Sequence, residues 1–252
     1  MATERGIGLA EAAAPDGMRI YAVGDVHGCY DLLARMHEQI VNEVERDRPD
    51  DWRVIYLGDY VDRGPQSRQV LEFLSSAVES DPRVIALAGN HDRGMLSFLR
   101  MPRRDSIFAG YGGDATARSY GVELAYESHE AFVASAARLA EAIPEKHRRF
   151  LKGLGWSASF GDLFFCHAGI RPGVPLDRQS REDLIWIRDE FLEYPGLHPK
   201  LIVHGHTPHS APQVLTNRVN LDTGAFRTGI LSGMKFEGAG KALVQISAPE
   251  GF

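Results

Sequence analysis

What this chain does without narrows the field first. Only 2 cysteines occur in 252 residues, too few for a disulfide framework, so a reducing, cytoplasmic setting is expected. No apolar run approaches the roughly 20 residues needed to cross a bilayer, and no membrane partner is expected. Basic charge is in deficit: 28 Lys and Arg against 34 Asp and Glu leave a formal net charge of −6. Bulk attraction to a nucleic-acid backbone is therefore missing, and no nucleic-acid partner is expected.

The opening stretch, MATERGIGLAEAAAPDG, carries charges at Glu4, Arg5 and Glu11. It lacks the unbroken apolar segment of a secretory signal. Residues 1–17 read as a mobile tail, with a Pro15–Gly17 turn opening a single domain over residues 18–248. A composition of 44% hydrophobic and 25% charged residues suits a globular fold. The length is enough for one large core.

What is present is a repeated event. Five short apolar runs each end in a Gly-containing polar cluster: RIYAV before GDVHG, RVIYL before GDYVDRG, RVIALA before GNHD, DLFFC before HAG, and KLIV before HGHT. Such runs read as buried strands. Helical patterns over Tyr30–Val44 and Ser67–Val78 separate the first three, which predicts βαβ units and a largely parallel sheet. A longer helix is expected over His129–Leu151, after an irregular AGYGGDATARSYG segment. Beyond Pro208 short strands with tight turns predict an antiparallel portion forming a second sheet. Every cluster then falls at the carboxyl end of a strand, the edge where open α/β sheets bind ligands.

The clusters collect Asp25, His27, Asp59, Asn90, His167 and His206. Carboxylate, imidazole and one amide oxygen suit manganese, iron or zinc better than magnesium or calcium. Six donors are too many for one tetrahedral ion. With Asp59 bridging, they fit two divalent ions roughly 3.5–4 Å apart, sharing a water whose pKa falls toward about 7. A hydroxide so held can attack phosphorus in line. Arg63 and Arg188 are suited to grip phosphoryl oxygens. His91, next to the ligand Asn90, is a candidate acid for the leaving oxygen, and Asp62 a candidate partner that orients its ring.

In order, GDVHG, GDYVDRG, GNHD, HAGI and GHT resemble the motif set of the PPP-type metallophosphatases of the calcineurin-like superfamily. That group includes serine/threonine protein phosphatases and symmetrical diadenosine tetraphosphatases. The resemblance implies an α/β fold, an αββα sandwich of two mixed sheets flanked by helices, and a dinuclear centre. It places one ion on Asp25, His27 and Asp59, and the other on Asp59, Asn90, His167 and His206. It makes His91 the acid with Asp62 its partner, Arg63 a phosphate ligand, and Arg188, in a Trp-x-Arg context, its companion. Manganese is the expected metal, with iron or zinc as alternatives. Asp62 in VDRG is similar to the protein phosphatases, so the expected reaction is hydrolysis of phosphoserine or phosphothreonine in proteins. GDVHGCYD and Asp92 resemble the tetraphosphatases, and symmetrical hydrolysis of a dinucleoside polyphosphate is the alternative.

Some features stay outside this set. CYDLLAR, with Cys29 and Arg35, matches the Cys-x5-Arg spacing of cysteine-dependent phosphatases. The interval is a helix start without the Gly-rich cradle that chemistry needs, so the match is read as coincidence. His204 is read as a structural histidine. Asp222 is read as closing a turn. The 100–121 segment is open between a solvated connection and a substrate-facing rim.

Overall fold

The computed structural model describes residues 6–249. The first three strands are β1 (Met18–Val23), β2 (Asp51–Tyr56) and β3 (Val84–Ala86). They alternate with α1 (Tyr30–Asp47), α2 (Ser67–Ser80) and α3 (Asn90–Arg100). The irregular segment folds into α4 (Ile107–Gly110) and α5 (Gly113–Ser119). The long helix expected next is two, α6 (His129–Ala142) and α7 (Glu145–Gly153). The break falls at Pro144, whose ring denies the helix an N–H donor and pushes the preceding residue out of helical geometry.

Strands β4 (Ser157–Phe160) and β5 (Leu163–Cys166) follow, then α8 (Arg181–Trp186) and α9 (Asp189–Leu192). The chain ends with β6 (Leu201–His204), β7 (Gln213–Val214), β8 (Arg218–Asn220), α10 (Ala225–Thr228), β9 (Ile230–Glu237) and β10 (Gly240–Ser247). No helix among the described residues is long and apolar enough to cross a membrane.

Two mixed five-stranded sheets result, ordered β10-β9-β1-β2-β3 and β4-β5-β6-β8-β7. The antiparallel C-terminal strands do not make a sheet of their own. β9 returns to pair with β1, while β7 and β8 join β6. Strand alternation explains the layering. Ile20, Ala22, Ile55 and Leu57 point inward to meet Leu163, Phe165, Val203 and Val219 between the sheets. Tyr21, Val23, Val54 and Tyr56 point outward beneath Leu33 and Met36 of α1 and Val70 and Leu74 of α2. Phe164, Cys166 and Ile202 do the same on the other side beneath Leu184 and Phe191. This is the helix–sheet–sheet–helix sandwich, with two mixed sheets, that the motifs implied.

The segment expected to stand off as a tail is, from Ile7 onward, packed. The Ile7 N–H donates to His198 O at 2.9 Å and the Leu9 N–H to Thr216 O at 2.7 Å. Ala12 and Ala14 lie in the layer between the sheets. Their small side chains fit a seam that a larger one would force open. Ala12→Leu should therefore destabilise the fold by about 1–3 kcal/mol, the usual cost of overpacking. Thermal unfolding would read this as a fall of several degrees, and an unchanged midpoint would mean the segment is not part of the core.

Candidate metal centre and active site

The carboxyl ends of β1, β2, β3, β5 and β6 converge, and the loops leaving them carry the clustered polar residues. Sharp turns aim these side chains inward. Among the described residues, six non-glycine residues have positive φ: His27, Arg48, Asp59, Asp62, Arg63 and His206. All but Arg48, which ends α1, belong to the predicted site. Positive φ is disfavoured for such residues and persists where the surroundings over-determine it. Gly89 makes room, though not for its own neighbours: a Cβ there would collide with Asp59 Oδ1 and the Asp59 amide.

Asp59 stands at the middle. Its Oδ2 lies 3.4 Å from His27 Nε2 and its Oδ1 3.5 Å from His167 Nε2. Among the described residues two groups of side chains could hold an ion, His27–Asp59–His91 and Asp59–His167–His206, and Asp59 is the residue they share. Asn90 joins the second group, with Oδ1 at 2.9 Å from both His167 Nε2 and His206 Nδ1. Asp25 sits outside these tight groups. Its oxygens accept the His206 N–H at 3.1 and 3.2 Å.

The imidazoles are held neutral, chiefly by burial. It lowers His27 to about 3 and His206 to about 2, and it lowers His167 as well. His27 Nδ1–H donates to Val61 O at 2.8 Å and His167 Nδ1–H to Leu57 O at 3.1 Å. Each Nε2 is then a bare lone pair, as a metal ligand must be. His167 Nε2, Asn90 Oδ1 and Asp59 Oδ1 are three acceptors facing one another with no hydrogen between them. Turning the Asn90 amide over would still leave Asp59 Oδ1 against His167 Nε2. His206 Nε2 is buried without a partner. Asp25 lies against Asp222 and Asp59; burial, then Asp222, then Asp59 push it well above the usual carboxylate range. Crowded acceptors and neighbouring buried carboxylates are unfavourable alone. A cation relieves all of them, so the donor set fits divalent metal.

His91 is differently placed. Its Nδ1 lies 2.7 Å from Asp62 Oδ2, and its Nε2 3.3 Å from Arg63 Nη2. Burial opposes its charge, but Asp59 and Asp62 outweigh that and hold its pKa above the ordinary histidine value. Arg63 rests 4.8 Å from the Phe226 ring centroid. Arg63 and Arg188 line one cleft of about 340 Å³ with Asp59, Asn90, His91 and His206. Tyr111 and Trp186, 65% and 39% exposed, complete it. The 100–121 segment thus reaches the rim through Ile107 and Tyr111.

Several partners were not singled out in the sequence. Thr116 Oγ1 donates to Asp62 Oδ1 at 2.9 Å and accepts the Asp62 N–H at 2.8 Å. The fully buried Asp92 accepts the N–H groups of Asp59, Tyr60 and Gly89, each at 2.9 Å. Asp222 closes its turn, taking the Gly224 N–H at 2.8 Å, and also presses on Asp25. His204 packs edge-on to Phe191, with centroids 5.0 Å apart, on the far side of β6. The Cys29–Arg35 pair does not form a site. Cys29 is buried and its thiol pushed up to about 12, while Arg35 donates to Ser247 O at 2.7 Å. Thr116→Val keeps the shape at its site and strips both hydrogen bonds from Asp62. It should cost about 1–3 kcal/mol, measured as a lower denaturant midpoint; no change would mean that Thr116 does not brace Asp62.

The family model for calcineurin-like phosphoesterases matches residues 18–232. A bis(5'-nucleosyl)-tetraphosphatase PrpE [asymmetrical] of Bacillus velezensis is 27% identical over 90% of this chain and 92% of its own. The enzyme of that name from Geobacillus sp. is 27% identical over 87% and 91%. Among solved structures, a candidate diadenosine tetraphosphatase superposes with a TM-score of 0.64 at 22% identity, covering 92% of this chain and 95% of that one. A serine/threonine phosphatase from Saccharomyces cerevisiae gives 0.52 at 14% identity, covering 94% and 82%. These likenesses show a shared fold. From the matched domain and the donor set it surrounds, the chain belongs to the calcineurin-like phosphoesterase family, hydrolases of phosphate esters that use divalent metals.

Proposed function

We propose that this chain hydrolyses dinucleoside polyphosphates, cutting a dinucleoside tetraphosphate into unequal nucleotides. The observation that carries the reading is the cleft: two arginines for phosphate beside two exposed aromatic faces, Tyr111 and Trp186. A base offers a π-face to such a platform, worth about 1–3 kcal/mol in stacking. A phosphoserine side chain offers none. The names of the relatives at 27% identity give further support, and they favour unequal over symmetrical cleavage. The phosphoprotein substrate suggested by Asp62 has support only from likeness of fold.

Asp25, His27, Asp59, Asn90, His167 and His206 would hold two divalent ions, manganese being the expected one. Bound there, such a pair supplies an acidified water and polarises phosphoryl oxygens. Arg63 and Arg188 grip the non-bridging oxygens and neutralise the charge that builds on them. His91 carries a proton to the leaving oxygen at Nε2. Asp62, braced by Thr116, holds the ring in place through Nδ1 and favours its charged form.

Chromatography of the products from diadenosine tetraphosphate with Mn²⁺ should give AMP and ATP in equal amounts. ADP as the sole product would sink unequal cleavage, and faster phosphate release from a phosphoserine peptide would sink the nucleotide reading. His91→Asn should lower turnover by roughly 10²–10⁴-fold while elemental analysis finds the metal content retained. Asp59→Asn should lose metal by the same measurement. Cys29→Ser should leave turnover intact; its abolition would revive a thiol mechanism.

A further inference from the structure

Beside the cleft a second groove of about 370 Å³ opens, and the two share Asn90, Ile107 and Trp186. At its centre lies the indole of Trp156. The guanidinium carbons of Arg93 and Arg181 stand 4.8 and 5.0 Å from that ring's centroid. Among the described residues, neither guanidinium has a carboxylate within 4.0 Å or a side-chain hydrogen bond. Some surface arginines are committed elsewhere: Arg171 to Asp183 and Glu190, Arg83 to Asp81, Arg103 to Asp105. In a chain of net charge −6, two unpaired guanidiniums on one ring are conspicuous. Glu182 is the single carboxylate on the groove.

Contact with the Trp156 ring restrains both side chains, and guanidiniums without a carboxylate partner keep their N–H donors available for bidentate bonds to phosphate. Arg93 lies three residues after Asn90 on α3, so the two share a helix face, their Cβ atoms about 5–6 Å apart. A phosphate chain leaving the centre on that side meets Arg93 next. Beyond it a further groove, lined by Arg93, Arg100, Arg148 and Lys152, holds no carboxylate.

We propose that Arg93 and Arg181, held on Trp156, form a polyphosphate subsite that binds the part of a dinucleoside polyphosphate beyond the scissile phosphate. The proposal rests on the nucleotide reading above and extends it. A long fragment seated in one groove and a short one left in the cleft would make the two products unequal. It also makes chain length a criterion of selection.

The test is calorimetric titration of the metal-loaded full chain with AMP, ATP and inorganic tripolyphosphate, in wild type and in Arg93→Gln, Arg181→Gln and the double variant. Each substitution should weaken ATP and tripolyphosphate by about tenfold or more, the worth of a charge-assisted contact. AMP, too short to reach the groove, should change by less than about twofold on the same scale. Equal losses for AMP and ATP, or no loss for either, would overturn the subsite. The titrations need no turnover, so the two readings can fail separately. If diadenosine tetraphosphate is not cleaved but tripolyphosphate still depends on both arginines, the subsite stands and the dinucleoside polyphosphate substrate falls.

Discussion

Burying the carboxylate of Asp59 costs several kcal/mol unless its surroundings offset it, and much of the structure around it does so. Gly89 leaves the space its oxygen occupies. The His91 N–H donates to that same oxygen at 3.0 Å. Asp92 pins the backbone of Asp59 and of its neighbour Tyr60. The Asp59 carbonyl in turn accepts the N–H groups of Val26 and His27, at 3.2 and 2.8 Å. The loops after β1, β2 and β3 are therefore fastened to one another through a single residue in a disfavoured backbone conformation. The imidazoles on either side then inherit their positions from it.

Much of this could be read from the chain. Period-two alternation in runs such as RIYAV gives both faces of a strand, and the structure uses both. Donor residues just past strand ends have few other reasons to recur five times. The remainder escaped because it acts through space. Thr116 reaches Asp62 across 54 positions, and nothing in ATARS marks it as other than a helical threonine. Asp92 stands in the sequence only as a likeness to the tetraphosphatases, and its hold on the loop after β2 appears only when β2 and β3 lie side by side. Alanines 12 and 14 carry no pattern strong enough to predict burial between sheets. Clustered arginine and glycine without a clear period made the 100–121 segment look irregular, although tertiary packing sets two short helices in it.

The choice between substrates turns on the rim rather than the centre. In the proposed mechanism Asp62 and His91 would serve any leaving alkoxide or phosphate alike, so an intact acid pair cannot select a protein over a nucleotide. Selection falls to groups that meet the rest of the substrate. Here those are aromatic and cationic: Tyr111 and Trp186 on the cleft, Arg93 and Arg181 next to it. None lies inside a metal-ligand motif, which is why motif matching alone favours chemistry over specificity.

The placement of β9 has a consequence for how the chain is made. β1 carries the loop with Asp25 and His27, and one of its edges is covered only by β9, with Arg19 opposite Glu237. The ion pair that closes this seam joins residues 218 positions apart. Closing so long a loop is entropically slow. While the protein is being synthesised, the first sheet keeps an open, apolar edge until β9 emerges. An exposed strand edge of this kind is a template for pairing with other chains. The nascent protein thus faces this hazard of aggregation throughout the interval between β1 and β9, while the secondary structure between them can already form.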